Sequence, residues 1–289
     1  MIALPAVIVV ALVLLLTDGG EDSRPGSALA RAKVDRFDSG RAWKHLKHQV
    51  SLGPRPSGSQ ASRELAAYIR ARIPRGHYEN VEGGLRNVVG RIPGSKPAIA
   101  VAAHYDTKDM PGFVGANDGA GGTAAVLELA RALRKADRPK NAPEIRFLFF
   151  DGEEATDDDR PFEETGLRGS TAYAKRHAGD LDALVLLDFV AEKGAMRIPR
   201  ESSSSLSIWR KLRAAAKRVG AGKAFPDETA GGVTDDHTPF LRRGVPSVDL
   251  IDFTFPCWHK RCDDLSAVSE RSLDTSGEAV LELLRSWRP

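Results

Sequence analysis

At 289 residues with 42% hydrophobic content, the chain can bury one large core, and a single domain is the default. Lys and Arg total 42 against 39 Asp and Glu, a formal charge of +3. The basic residues are scattered rather than gathered into a stripe with interleaved aromatics, so nothing indicates a nucleic-acid partner.

The amino end from Ile2 to Leu16 is continuously apolar and gives way at once to the polar, acidic, Gly-rich stretch Thr17 to Ser27. The run is shorter than the roughly 18 residues of a spanning helix but suits the apolar region of an export signal. A buried core element would not be followed directly by TDGGEDSRPGS. No Lys or Arg precedes the run, and Ala28-Leu29-Ala30 is a distant cleavage site. The expectation is an exported chain whose residues 1–30 are an export signal or a membrane anchor through residues 2–16, followed by one folded domain over 31–289.

Trp43, Leu46 and Val50 predict a short amphipathic helix from Arg41 to Leu52, with His45 and His48 on its surface. GPRPSGS breaks the chain, after which Ser59 or Ser62 can cap a helix carrying Leu65, Ile69 and Ile73. Asn87 to Ile92 and Ala98 to Ala103 read as strands joined by a PGSK turn. The second strand runs into His104-Tyr105-Asp106. The loop from Gly115 to Gly122, GANDGAGG, lacks both dinucleotide-binding and P-loop spacing; its glycines instead let backbone and Asp118 approach a small buried object. A helix follows, with Val126, Leu129, Ala130 and Leu133 on one face.

Phe147 to Glu154, FLFFDGEE, is an apolar run that stops at Asp151, Glu153 and Glu154. Buried strands of mostly parallel sheets read this way, and their ends carry functional groups. Alone, the string also suits a solvated acidic turn. An acidic loop spans Ala155 to Thr165, a helix starts near Gly169-Ser170, and the run Ala183 to Leu187 again ends in an acid, Asp188. A helix covers Ser205 to Val219. DDHTPF (Asp235 to Phe240), a strand Ser247 to Ile251, and a last helix with Leu273, Val280, Leu281 and Leu284 complete the chain. Strands alternating with helices at these lengths predict an α/β fold with a mainly parallel central sheet flanked by helices. The two cysteines, Cys257 and Cys262, bracket a histidine; in an exported chain such a pair reads as a local disulfide rather than a structural zinc site.

Strand ends and loops thus present His104, Asp118, Glu153, Glu154, Asp188 and His259. Adjacent carboxylates in one cleft repel unless a cation offsets them, and zinc takes imidazole nitrogen with carboxylate oxygen. HYD, GANDGAGG, FFDGEE, GLRGS, LLDF, DDHTPFLRRGVP and WHKRCDD occur in an order that resembles the zinc aminopeptidases of the type that includes plasma-membrane folate hydrolases. The resemblance is closer still to the glutaminyl-peptide cyclotransferases, and it covers most of the chain after the export segment.

That resemblance implies a zinc ion held by Asp118, Glu154 and His259. In the peptidase branch a second position would be completed by His104 and Asp188, with Asp118 bridging. It implies Glu153 as general base, Asp106 as the group that takes the second imidazole proton of His104, and, in the cyclase branch, a relay of Glu153, Asp188 and Asp235 with Trp258 against substrate. Two features depart from that branch: Asp249 stands where animal-type cyclases carry His, and GANDGAGG is peptidase-like. The leading expectation is a glutaminyl cyclase acting on peptide or protein N-termini. A two-zinc aminopeptidase is the alternative, and a catalytically silent, membrane-tethered binding domain a third. There is no GxSxG elbow to support nucleophilic hydrolysis.

Overall fold

The apolar runs of the sequence become neighbours in one sheet. In a computed structural model, which describes residues 32–136, 138–194 and 196–288, six strands lie in the order β1-β2-β4-β3-β5-β8. They are β1 (His77–Val81), β2 (Leu85–Ile92), β3 (Ser95–His104), β4 (Pro143–Phe150), β5 (Leu181–Leu187) and β8 (Ser247–Leu250). β3 pairs in parallel with β4 and β5, and β5 with β8, while β1 and β2 extend the sheet antiparallel. The mainly parallel, helix-flanked α/β architecture is therefore the one the sequence predicts. β2 and β3, consecutive in the chain, do not pair; β4 lies between them.

Successive strand residues face opposite ways, and the helices divide accordingly. Ile99, Val101, Phe147, Phe149, Val185 and Leu187 pack with α1 (Ser39–Ser51), α2 (Gln60–Arg70), α3 (Ala120–Lys135), α6 (Leu206–Val219) and α8 (Glu270–Ser286). Ala100, Ala102, Leu148, Phe150, Leu184 and Leu186 pack with Tyr173 of α5 (Arg168–His177) and Phe240 of α7 (Thr238–Leu241). Burying a large apolar side chain stabilises by about 1.5–3 kcal/mol, and an exposed ion pair such as Arg160–Glu164 by at most about 1. Packing on the two faces, not surface charge, therefore holds the sheet. A short helix α4 (Phe162–Thr165) and a two-residue pair, β6 (Arg200–Glu201) with β7 (Thr229–Ala230), edge the strand ends.

His45 and His48 are half-buried rather than on the surface: His45 Nδ1 lies 2.8 Å from the Tyr68 hydroxyl, and His48 stacks on the same ring. Cys257 and Cys262 are bridged. Among the described residues no helix is long and apolar enough to cross a membrane; the expectation for residues 1–30 lies outside them.

Candidate active site and metal centre

The carboxyl ends of the parallel strands are level, His104 opposite Phe150 and Ala102 opposite Leu186. The chain leaves β3 for β4 on one side and later enters β5 on the other, which opens a crevice at the strand ends. β3 delivers His104 there, the segment after β4 Glu153 and Glu154, and the residue after β5 Asp188. The loop before α3 adds Asp118, and the segment beyond β8 adds Trp258 and His259.

Asp118 stands between two imidazoles. Its Oδ1 is 3.3 Å from His104 Nε2, which is also 3.2 Å from Asp188 Oδ1. Its Oδ2 is 3.7 Å from His259 Nε2, which is also 3.4 Å from Glu154 Oε2. The two groups, His104-Asp118-Asp188 and Asp118-Glu154-His259, each offer one nitrogen and two carboxylate oxygens close enough to share a metal ion. Asp118 Oδ2 and Glu154 Oε1 are buried with no hydrogen-bond partner. Buried carboxylate oxygens left without a hydrogen bond are costly, so the donors fit a cation, and the N/O set suits zinc.

The electrostatics carry the same strain. Burial, with the charges of Glu154, Asp235 and Asp236, pushes Glu153 well above the usual carboxylate range, against the pull of His104. Burial and Asp118 raise Glu154 to about 7. Burial and Asp235 raise Asp188 well above its ordinary value. His104 and His259 are raised despite burial, His104 by Asp106, Asp118 and Asp188, and His259 by Glu154 and Asp118.

Local backbone places these groups. Gly119 has φ +84°, and a Cβ there would meet the Asp106 carbonyl at 2.7 Å and His104 Cε1 at 3.1 Å. At Gly122 a Cβ would lie 2.0 Å from the Leu187 carbonyl, so glycine lets α3 rest on the end of β5. Asp263 accepts the N–H groups of Asn117 at 2.7 Å and Asp118 at 3.0 Å. Buried Arg55 donates to the carbonyls of Gln49, Gly53 and Val114, tying the same loop to the chain break after α1. His259 sits at φ +50°, a left-handed conformation rare for a non-glycine residue, inside the loop closed by Cys257–Cys262.

Two sequence expectations change here. Asp106 lies 3.7 Å from His104 Nδ1, beyond hydrogen-bond reach. It accepts instead the N–H groups of Glu153 at 3.2 Å and Glu154 at 3.3 Å, and so sets the turn that carries both glutamates. Asp151 turns away from the crevice, where it accepts from Ser62 Oγ at 3.3 Å and the Arg86 N–H at 3.1 Å.

The remaining residues line one cleft of about 360 Å³. Asp118, Glu153, Glu154, Asp188, Asp235 and His259 form its polar floor, and Phe162, Phe189, Val233, Ile251, Phe253 and Trp258 its apolar wall. Trp258 stacks on His259 with centroids 4.6 Å apart. Asp235 also neighbours buried His237 and Asp249, the latter 4.0 Å from His237 Nδ1. Sequence reasoning missed Asp263, Arg55 and most of the apolar wall. Asp263 falls inside the WHKRCDD motif, which was its one signal.

Comparison with known proteins agrees with this geometry. The profile described as Peptidase family M28 matches residues 87–284. A glutaminyl-peptide cyclotransferase from Drosophila melanogaster is 33% identical over 234 residues, covering 68% of this chain and 62% of that protein, so the chain spans under two thirds of its length. A leucine aminopeptidase precursor from Bacteroides thetaiotaomicron superposes with a TM-score of 0.79 at 28% identity, over 89% of this chain and 100% of that one. An Acidobacteriales bacterium glutaminyl cyclase gives 0.75 at 29% identity, over 90% and 97%.

Proposed function

The chain belongs to peptidase family M28, and on that premise we propose that it is a zinc-dependent glutaminyl cyclase, converting the amino-terminal Gln of peptides or proteins to pyroglutamate with release of ammonia. The observation that carries this reading is the cleft itself, which gathers three buried acids, Glu153, Asp188 and Asp235, beside the Asp118-Glu154-His259 group under one tryptophan.

In the cyclisation the substrate's α-amine attacks its own side-chain amide carbon. A ring C–N bond forms, the bond to the amide nitrogen breaks, and ammonia leaves. Zinc held by Asp118, Glu154 and His259 would supply Lewis-acid polarisation of the amide carbonyl. Glu153 takes the proton from the amine and returns it to the departing nitrogen; a carboxylate pushed upward by burial is a stronger base than an exposed one. Asp188 and Asp235, both raised by burial, back Glu153 as the relay. Trp258 closes over the substrate side chain.

One observation favours a second reading, a two-zinc aminopeptidase. His104 Nε2 faces Asp118 and Asp188 within 3.3 Å, a complete second donor group. The two readings divide on Asp188, a relay acid in one and a metal ligand in the other. Export, through residues 2–16 as signal or anchor, belongs to the same proposal and is supported by the disulfide, which suits an oxidising compartment.

The deciding experiment offers purified protein a Gln-initiated peptide and a Leu-initiated chromogenic amide side by side. Ammonia from the first without cleavage of the second is expected. Rapid Leu release with no ammonia overturns the ranking in favour of the aminopeptidase.

A further inference from the structure

Beside the cleft lies a second cavity of about 250 Å³ that none of the metal-holding acids line. Pro199, Ala230, Gly231 and Thr254 form its far side, and it shares Val233, Ile251 and Phe253 with the main cleft. The two carboxylates in its wall are engaged elsewhere. Glu201 accepts from the Ser203 N–H at 2.8 Å and faces His237 Nε2 at 3.3 Å. Asp252 accepts from the Arg197 N–H at 2.6 Å and the Thr254 hydroxyl at 2.6 Å. The surface left open is apolar.

Phe253, with Gly232, Val233 and Ile251, forms the wall shared by the two spaces. It is 48% exposed, unusual for a phenylalanine, yet its ring is held by a parallel stack on Phe189 at 6.1 Å and a contact with Trp258 at 4.9 Å. With Trp258, itself 44% exposed, it makes a contiguous apolar patch at the rim of the cleft, the kind of surface that a ligand covers. Neighbouring residues of a peptide have Cα atoms about 3.8 Å apart, and rotation about the backbone between them lets their side chains enter adjoining spaces. A wall one side chain thick therefore separates the first side chain from the second.

We propose that this cavity is a subsite for an apolar side chain on the second residue of a peptide whose amino-terminal residue occupies the main cleft. The inference rests on the reading that the cleft takes peptide amino termini, but not on which reaction follows.

The test compares Gln-Gly, Gln-Leu and Gln-Asp peptides that are otherwise identical, by kcat/KM for ammonia release from the whole protein. Burial of a leucine side chain predicts a preference for Gln-Leu over Gln-Gly of about tenfold or more, with Gln-Asp poorest. Gly231 lines the cavity and has open space at its Cβ position, so Gly231→Leu adds apolar bulk at the cavity wall with no clash at Cβ. In Gly231→Leu the Leu-to-Gly ratio falls to about one, and in Phe253→Ser, which opens the shared wall, it does the same. The same ratio is read as Kd with Glu153→Gln, which reports the subsite even where turnover is absent. Equal values for Gln-Leu and Gln-Gly in the wild type, a ratio unchanged in both variants, or a dependence on the third residue instead of the second each overturns the subsite. Absence of ammonia from every peptide, with the Kd preference intact, sinks the cyclase reading and leaves the subsite standing.

Discussion

Glu153 and Glu154 are adjacent in the chain, yet only Glu154 belongs to a group able to hold a metal, with its Oε2 3.4 Å from His259 Nε2. Replacing Glu153 by Gln preserves shape and leaves every donor of that group in place. Glu153→Gln is expected to keep its zinc by elemental analysis and to lose turnover by about 100-fold or more, the usual share of general acid–base catalysis. Zinc lost along with activity would reverse the roles of the two glutamates. The string FFDGEE does not reveal which glutamate faces the metal, because its acids share composition and exposure pattern; in the sequence that order came from family resemblance alone. Asp151 shows the same limit: an acid at a strand end can turn either way, and Ser62 with the Arg86 N–H turns this one away from the crevice while it stays buried.

At the scale of elements, two loops that are distant in sequence are fastened to each other. Asp263 follows the disulfide loop that carries His259, and its carboxylate holds the backbone of Asn117 and Asp118. Asp263→Ala leaves both N–H groups without this acceptor and frees the Asp118 carboxylate to wander. Zinc affinity is expected to weaken by about 10–100-fold, as for other partners that orient ligands, with the fold retained by circular dichroism. Unchanged affinity would mean the Asp118 loop holds itself. The parallel strands were legible because burial on both faces leaves continuous apolar runs. β1 was not, since HYENV is a mostly exposed edge strand with a single buried residue, Val81. The apolar wall was not legible either: Phe162, Phe189, Val233 and Phe253 come from separate segments, and no local pattern marks convergence.

Over the whole molecule, the helix-flanked sheet could be anticipated from alternating periodicity. Strand order could not, because crossovers rather than strand composition decide that β4 separates β2 from β3. A pH dependence follows from a carboxylate outside the cleft. Burial and the nearby Asp252 raise Glu192 from 4.5 to about 7. Between these values the folded chain keeps a proton that the unfolded chain has released. The stability it contributes is thus fully present below pH 4.5 and lost as pH rises through about 7. Thermal melts of wild type and Glu192→Gln should diverge over that window, with the wild type losing ground as pH rises; a constant difference would refute the linkage.

The disulfide around His259 also bears on timing. With His259 as the proposed zinc ligand, its left-handed backbone inside a bond that forms in oxidising surroundings is expected to make metal loading a late event, and a molecule still in a reducing compartment a weak competitor for cellular zinc. Oxidised protein should retain zinc against a chelator that strips the reduced form. Equal retention would mean the loop keeps its shape unaided; unequal retention would make oxidation the step that arms the enzyme.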